Sequence, residues 1–289
     1  MPPDLDALLT ALYVFVDDLL PKRSGPGRRG RISASELVTL AVAQVLLDCA
    51  SERRFLRFAQ RRLGELFPYI PGQSGYNKRL RALAGEVCLV LGALARSCPS
   101  FCDRLRLLDS TPVPCGQSRE TVKRSQLAGY AGYGYCAAHS RFFWGLRLYL
   151  LCAPDGMPIA FCLAPANEPE REIAALLLER SLHGGELVLG DKGFAGREFE
   201  QRVASLGATF LRPDRTDEPP RVGSLGAIRQ WIESVIDTLK GQLSLERHGG
   251  RTPQGVFVRV AQRLLALAAA IWHNRQLGKP SRTLTAYDH

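Results

Sequence analysis

Two different spacings of apolar residues divide the chain. Up to residue 102 the apolar positions recur every three or four residues, as on one face of a helix. They predict helices over 5–20, 33–48, 51–67 and 76–95. Ser33 and Glu36 have the spacing of a capping box at the start of the second helix. Short continuous apolar runs follow and are typical of strands, so we expect an all-α N-terminal domain over 1–102 and a second domain over 103–289 that includes the C-terminal helix.

The order of elements in the second domain indicates its fold. The apolar runs predict strands over 105–109, 142–152, 158–164, 186–190 and 208–211. Helical spacing predicts helices over 168–182, 196–206, 225–245 and 254–274. Three strands followed by helix, strand, helix, strand and helix is the order of a ribonuclease-H-like α/β fold. We therefore expect a mixed five-stranded sheet with flanking helices, with Asp109 and Asp191 on neighbouring strands.

Three acidic residues are the candidate catalytic and metal-binding residues. Asp109 and Asp191 end strand-like runs, and Glu233 lies inside a helical pattern. A single Asp at a strand end is more commonly a turn residue or a helix cap, but three such carboxylates on rigid elements are typical of a metal-dependent phosphoryl-transfer site. Carboxylate oxygens are the ligands that Mg²⁺ and Mn²⁺ prefer. Since clustered carboxylates repel one another, such a group would need cations to neutralise it.

The charge of the chain favours a polyanionic partner. The chain has 38 basic and 28 acidic residues, a net charge of +10. The middle segment 103–211 carries 12 of each sign, whereas the flanking segments each have an excess of five basic residues. Basic flanks around a carboxylate centre suit nucleic acid. Most of the basic residues are Arg, which favours forked phosphate contacts, although a coding bias towards Arg explains that preference equally well.

Two basic segments are candidate DNA-binding elements. The helix over 51–67 carries Arg53, Arg57 and Arg61 opposite its apolar face, which suits a helix-turn-helix-like DNA reader. The alternative, nearly as good, is that these arginines are the solvent-exposed face of a helix in a domain that serves only for packing. In the segment 119–147 basic residues alternate with Gly and Tyr. Lys123, Arg124 and Arg141 are candidates to bind phosphates there, and Tyr130, Tyr133 and Tyr135 to stack on exposed bases. A packed loop with buried aromatic residues remains the alternative.

The eight cysteines do not indicate a disulfide framework or a zinc site. They lie largely within apolar runs, where a reduced thiol behaves as a small apolar group, and no CxxC pair occurs. No signal-peptide pattern begins the sequence, and no apolar run approaches the ~20 residues that span a bilayer. We therefore expect a cytoplasmic, nucleoid-associated protein with no membrane partner.

Together these segments resemble bacterial insertion-sequence transposases of the DDE class, most closely the IS982 family, with wider similarity to IS4- and IS5-type enzymes. The matching segments are Leu-Leu-Asp109-Ser-Thr-Pro-Val, the Gly- and Tyr-rich stretch that runs to His139-Ser-Arg-Phe-Phe-Trp-Gly-Leu-Arg147, Gly-Asp191-Lys-Gly-Phe, and the spacing Arg229-x3-Glu233-x6-Lys240. The tyrosine that often precedes the Arg in related enzymes corresponds to Gly226 here.

The resemblance implies a ribonuclease-H-like catalytic domain that uses two Mg²⁺ or Mn²⁺ ions, with Asp109, Asp191 and Glu233 as the family triad. It also implies that Arg229 and Lys240 hold DNA phosphate near the cut, and we place Arg147 and Lys192 with the DNA-binding residues. The expected partners are the terminal inverted repeats of the element, the target DNA and further copies of the chain. Two alternatives stay open: a catalytically inactive DNA-binding regulator, and a nuclease of the same fold that does not join strands.

Overall fold

The computed structural model describes residues 3–21, 30–136, 140–214, 226–284 and 287, without the side chains of 3 and 226–229. Most of the Gly- and Arg-rich segment 22–31, and His139, lie outside these residues. The chain forms two compact units: the first contains Met1–Leu94, Leu239–Gly250 and Gln254–His289, and the second contains Ala95–Thr238 and Arg251–Pro253. The C-terminal helix, which the sequence analysis assigned to the second domain, thus groups with the N-terminal helices.

The first unit is helical. Its helices are α1 (Pro3–Leu19), α2 (Ala34–Leu46), α3 (Glu52–Arg62), α4 (Gln73–Ala82), α5 (Ala84–Ser97, which extends into the second unit) and α10 (Pro253–Gln276). The capping box at the start of α2 is present, because the Ser33 hydroxyl accepts a hydrogen bond from the Glu36 amide while the Glu36 carboxylate accepts one from the Ser33 amide.

The single helix predicted over 76–95 is wrong. Helix α4 ends with its C-cap at Leu83, whose amide donates to the carbonyls of both Arg79 and Leu80. Helix α5 starts at the next residue. The apolar spacing continues through this break, because both helices bury an apolar face; the sequence pattern therefore conceals it.

Helix α10 is a core helix of the first unit. By length and composition it is apolar enough to cross a membrane, which the sequence analysis did not expect, yet 94% of its most apolar window is buried in the fold. It also carries two buried arginines. Arg263 donates to the carbonyls of Ser244 and Arg259, and Arg259 forms an ion pair with Glu52. These buried polar contacts satisfy charged groups that would otherwise be costly inside a protein.

The second unit contains a six-stranded mixed sheet with helices beside it. The strands are β1 (Leu105–Gly116), β2 (Gly132–Cys136), β3 (Arg141–Cys152), β4 (Pro158–Pro165), β5 (Leu187–Leu189) and β6 (Thr209–Leu211). The helices are α6 (Arg119–Arg124), α7 (Glu170–Glu179), α8 (Arg197–Ser205) and α9 (Gly226–Gly241), the last of which ends in the first unit. The sheet order is β2-β3-β1-β5-β6, with β4 paired to β3. The predicted mixed α/β class is confirmed.

Two strand predictions need correction. β1 continues to Gly116 and does not end at Asp109, since β3 pairs with it along its whole remaining length. β5 pairs only with 105–107 of β1, so within the described residues the β5-side edge of β1 has no ladder partner beyond residue 107. Pro112 and Pro114 lie two residues apart, so both ring nitrogens point to the same edge of β1. A proline nitrogen at an unpaired edge costs no ladder hydrogen bond. β2 is a sixth strand that the sequence analysis did not predict, because its alternating glycines are poor strand formers.

The core of the second unit lies between one face of the sheet and helices α7 and α8. Leu108 and Tyr149 from the sheet pack there with Leu178 of α7 and Phe199 of α8, and all four are buried. Successive residues of a strand point to opposite faces. Leu108 and Ser110 therefore face α7 and α8, and Asp109 points to the other side of the sheet.

Candidate active site and nucleic-acid interface

Asp109 lies at the point where β1 loses its parallel neighbour. The pairing of β1 with β5 joins Leu105 to Leu187 and Leu107 to Leu189. Two residues further on, β1 still pairs with β3, where Asp109 lies opposite Leu150. Its side chain is half-buried and accepts a hydrogen bond of 2.7 Å from the amide of Ser110. β1 therefore holds this carboxylate at the carboxyl end of a parallel strand pair, where ligands commonly bind.

Asp191 lies two residues beyond the end of β5. The three residue pairs of β1 and β5 each differ by 82 positions, and the same difference relates 109 to 191. Asp109 likewise lies two residues beyond the last β1 residue that pairs with β5, so the two aspartates follow the paired segment at the same distance along the chain. Asp191 is half-buried and begins the 3₁₀ turn Lys192–Phe194, with its carbonyl accepting from the Phe194 amide. Asp109 thus lies on β1, whereas Asp191 lies just past the end of the neighbouring strand β5, and the meeting of their carboxylates stays a prediction.

Glu233 lies in the second unit on α9, with its side chain exposed. Lys240 follows seven residues later on the same helix and is half-buried, while the side chain of Arg229 is outside the described residues. Within the described ranges, no three Asp, Glu, His or Cys side chains are grouped closely enough to hold a metal ion. The assembly of the three carboxylates around metal thus stays a prediction, although the donor set of Asp109 and Asp191 fits a hard divalent cation.

A polar network on the opposite face of the sheet was missed by the sequence analysis. Glu170, in the first turn of α7, accepts a short hydrogen bond from the Ser110 hydroxyl and forms an ion pair of 3.4 Å with Arg147 of β3. Arg147 also donates to Ser110 (3.2 Å) and to the carbonyl of Tyr135 (3.0 Å). In the sequence, Glu170 has only the signature of a favourable helix N-terminal charge.

This network connects the neighbours of both aspartates. Ser110 follows Asp109, and a Cβ built on Gly193 would lie 3.6 Å from the second carboxylate oxygen of Glu170. Arg171 reaches the same turn, since it donates to the Gly193 carbonyl. The start of α7 thus contacts the residue after Asp109 through Glu170 and the turn after Asp191 through Arg171.

The hydroxyl of Tyr149 lies beside this network. It is buried and has no hydrogen-bond partner among the described residues. Burial, with a further contribution from the negative charge of Glu170, raises the pKa of Tyr149 above its ordinary value. The side chain therefore stays neutral at any physiological pH and cannot act as a base there.

The predicted DNA-binding residues of the second unit differ in exposure. Those with exposed side chains are Lys123, Arg124, Tyr130, Tyr133, Arg141 and Lys192. Arg147 is largely buried, and its guanidinium forms an ion pair with Glu170 and donates hydrogen bonds to Ser110 and to the Tyr135 carbonyl. It has a role inside the fold, and its predicted contact with DNA stays a prediction. In the first unit, Arg53, Arg57 and Arg61 are all exposed on α3, opposite the buried Phe55, Leu56 and Ala59.

All eight cysteines are free thiols. Burial raises the pKa of both Cys115 and Cys162 to about 11, so these thiols are protonated at neutral pH and behave as small apolar groups. This agrees with the interpretation of the cysteines as packing residues.

Comparison with known proteins gives a family. A family model described as a transposase DDE domain matches residues 100–269. That range contains Asp109, Asp191 and Glu233. No curated protein matches the chain. Among solved structures, a chain of a cryo-EM structure of the piggyBac transposase synaptic complex with hairpin DNA is similar at a TM-score of 0.46 and 9% identity, over 98% of this chain and 76% of that one. Because the family model spans more than half of the 289 residues, the chain belongs to the transposase DDE domain family.

Proposed function

We propose that the protein is a DNA transposase that binds the terminal inverted repeats of its own element and catalyses metal-dependent strand cleavage and strand transfer. The observation that carries the proposal is the parallel pairing of β1 with β5, whose last pair precedes Asp109 and Asp191 by two residues each, in a chain that belongs to a transposase family. Within that family we propose the IS982 group, on the motifs given above.

In the proposed site, three carboxylates bind metal and a second set of residues supports them. Asp109 and Asp191 would hold divalent metal from two adjacent strands, and Glu233 would complete the ligand set from α9. Two bound Mg²⁺ or Mn²⁺ ions would activate the attacking oxygen and stabilise the leaving 3′-oxygen. Glu170, Ser110 and Arg147 would keep β1 and the turn after Asp191 in place, so that the carboxylates are ordered before metal binds.

The exposed cations supply the proposed DNA contacts. Lys123, Arg124, Arg141 and Lys192 lie on the second unit with exposed side chains, and we place DNA phosphates against them, with Arg229 and Lys240 near the cut. The arginines of α3 would bind the repeat outside the cut. Each phosphate contact adds about 0.9 to the slope of log affinity against log salt, so removing one exposed cation should lower that slope by about 1. We propose that the chain works as a multimer on DNA in the cytoplasm.

The test is a cleavage assay on DNA that carries the flanking repeats of the gene. The protein is incubated with Mg²⁺, Mn²⁺ or EDTA, beside Asp109→Asn, Asp191→Asn and Glu233→Gln. Asp155→Asn is the matched control, because Asp155 caps a turn by accepting from the Met157 amide and lies outside the site. We expect metal-dependent cleavage and joining that each of the three substitutions abolishes while DNA binding persists, and that Asp155→Asn retains.

The other outcomes separate the alternatives. Binding without cleavage under any metal would indicate an inactive regulator. Cleavage without joining would indicate a nuclease of this fold. Cleavage that survives all three substitutions would show that other residues hold the metal.

A further inference from the structure

Three aromatic side chains form an exposed patch on the edge of the second unit's sheet. Tyr133 and Tyr135 lie on β2, and Phe142 lies near the start of β3. Their exposed fractions are 57%, 48% and 77%. Tyr135 pairs with Phe142 and Tyr133 pairs with Trp144 across the two strands. Since paired residues share a face, these side chains point the same way; we call Tyr133, Tyr135 and Phe142 the aromatic patch.

β2 packs on the second unit through the face of the hairpin that lies opposite the patch. The opposite face of the hairpin supplies that packing: Cys136 and Phe143 are buried together with Ala166, and a Cβ on Gly134 would collide with Ala166. On the patch side, the rings of Tyr135 and Phe142 lie 5.0 Å apart and tilt by 56°. Phe142 leaves most of its ring in water, at a cost of roughly 25 cal/mol per Å² of apolar surface.

Cations border the patch. The helix α6 lies beside Trp144, because a Cβ on Gly116 would meet both the Trp144 ring and the Thr121 methyl group within 3.3 Å. Lys123 and Arg124 end that helix with side chains 74% and 85% exposed. Glu120 lies 3.8 Å from Lys123 and 3.7 Å from Arg124, but ion pairs this exposed are weak and yield readily to a phosphate.

Aromatic rings flanked by cations fit nucleic acid better than a second protein surface. The patch consists of aromatic side chains, and the helix beside it carries two exposed cations and one exposed carboxylate. A base offers a flat ring to stack on, with the phosphate on the same strand within reach of the cations. Bases inside a duplex are already stacked on their neighbours, so the patch requires an unpaired base.

We propose that the aromatic patch stacks on an unpaired base of the DNA, with Phe142 as the principal stacking residue and Lys123 and Arg124 on the adjoining phosphates. The inference rests on the proposed function, since it takes DNA as the substrate. It deepens that function by assigning the protein a preference for DNA with an unpaired end. Phe142, absent from the sequence-based predictions, has the central role, and Tyr133 and Tyr135 complete the surface.

The test compares two DNA substrates for the full-length protein: a blunt duplex, and the same duplex with a three-nucleotide unpaired tail that contains 2-aminopurine. Affinity is measured by fluorescence anisotropy and stacking by quenching of 2-aminopurine, both in EDTA. Variants are Phe142→Ala, Phe142→Trp and, as a matched exposed apolar residue on α7, Leu176→Ala, whose side chain is 43% exposed in the wild type. Far-UV circular dichroism and urea unfolding check the fold of each variant.

We expect the wild type to prefer the tailed duplex and to quench 2-aminopurine. Phe142→Ala should weaken binding to the tailed duplex roughly 5- to 100-fold and lose the quenching, with blunt-duplex affinity and the salt slope unchanged. Phe142→Trp should retain both properties, and Leu176→Ala should match the wild type.

Three results would overturn the proposal: equal binding of both duplexes by the wild type, wild-type behaviour of Phe142→Ala, or an equal loss of affinity for both duplexes in that variant. A shift of Phe142→Ala from oligomer to monomer in sedimentation would assign the patch to contacts between copies of the chain and would also overturn it. Because no metal or cleavage is involved, the stacking result is independent of the cleavage assay. Failed cleavage with intact stacking would refute only the proposed catalytic function.

Discussion

The ion pair between Arg147 and Glu170 gives the sharpest prediction about stability. Both partners are largely shielded from solvent, with side chains 15% and 34% exposed. Arg147 also holds the Ser110 hydroxyl and the Tyr135 carbonyl. Replacing Arg147 by Met keeps most of its length and apolar stem, and leaves Glu170 with the Ser110 hydroxyl but without its cation.

The magnitude follows from the burial of the pair. Breaking a fully buried ion pair costs about 3–5 kcal/mol, and an exposed one contributes about 0–1 kcal/mol. Because Glu170 is about one-third exposed, the cost of Arg147→Met should fall between these limits, at about 2 kcal/mol with the lost Tyr135 hydrogen bond included. The coupling free energy between Arg147→Met and Glu170→Gln should be about 1–2 kcal/mol.

The assay is a double-mutant cycle by urea unfolding, followed by tryptophan fluorescence. The chain has three tryptophans. In a Trp231→Phe, Trp272→Phe background, the remaining Trp144 of β3 reports on the second unit alone. This matters because two compact units need not unfold in one transition.

The pair between Arg202 and Glu172 is the matched control. Its N–O distance is 2.7 Å, shorter than the 3.4 Å of Arg147 and Glu170, but its side chains are 30% and 53% exposed. If burial governs the strength of these pairs, the control cycle should give about 0.2–1 kcal/mol, less than the Arg147–Glu170 cycle in spite of the shorter distance. Equal or reversed coupling energies would refute this reasoning.

Three further predictions concern metal, backbone packing and pH. Mg²⁺ at 100 times its Kd should raise the unfolding free energy of the second unit by about 2.7 kcal/mol, and by much less in Asp109→Asn. Urea unfolding at matched ionic strength measures both gains. An equal gain in the two proteins would show that the ion binds elsewhere. Gly145→Ala should prevent folding of the second unit, because the new Cβ would collide with backbone atoms of β1. The control is Gly85→Ala in a helix, where the new Cβ meets open space and the substitution should be neutral or stabilising by up to ~1 kcal/mol. Soluble yield and circular dichroism check both variants. Burial lowers the pKa of His273 in the folded protein, so folding favours the neutral imidazole. The unfolding free energy of the first unit should therefore fall as the pH drops below about 6.5, the pKa of His in the unfolded chain. A His273→Gln variant with the same pH dependence in urea unfolding would contradict this.

Local patterns in the sequence predicted most of the regular elements. Helical spacing of apolar residues located α2, α7 and α8, and continuous apolar runs located β3 and β4, because these elements bury one face or both and their composition shows it. The capping box of Ser33 and Glu36 depends on residues three positions apart, so the sequence alone was sufficient to predict it. The order of strands also predicted that Asp109 and Asp191 lie on neighbouring strands; β5 does pair with β1, and Asp191 follows the end of β5 by two residues.

The sequence could not predict features that depend on distant partners. β2 exists because Gly132–Cys136 pairs with 141–145 of β3, and the glycines that make this close packing possible weaken the local strand signal. β1 extends past Asp109 because β3 continues beside it, whatever its prolines suggest locally.

By itself the sequence determined the fold class and most of the order of the elements, and it predicted the acidic residues that a metal site would use, because each is encoded in short-range spacing and residue type. Only the tertiary structure decided which face each residue occupies and which distant groups meet. It brought Glu170 to Ser110, 60 positions away in the chain, and it left Phe142 exposed on an edge while Phe143 entered the core. Such contacts depend on the register of strands and on the packing of helices against them, and these are properties of the whole fold.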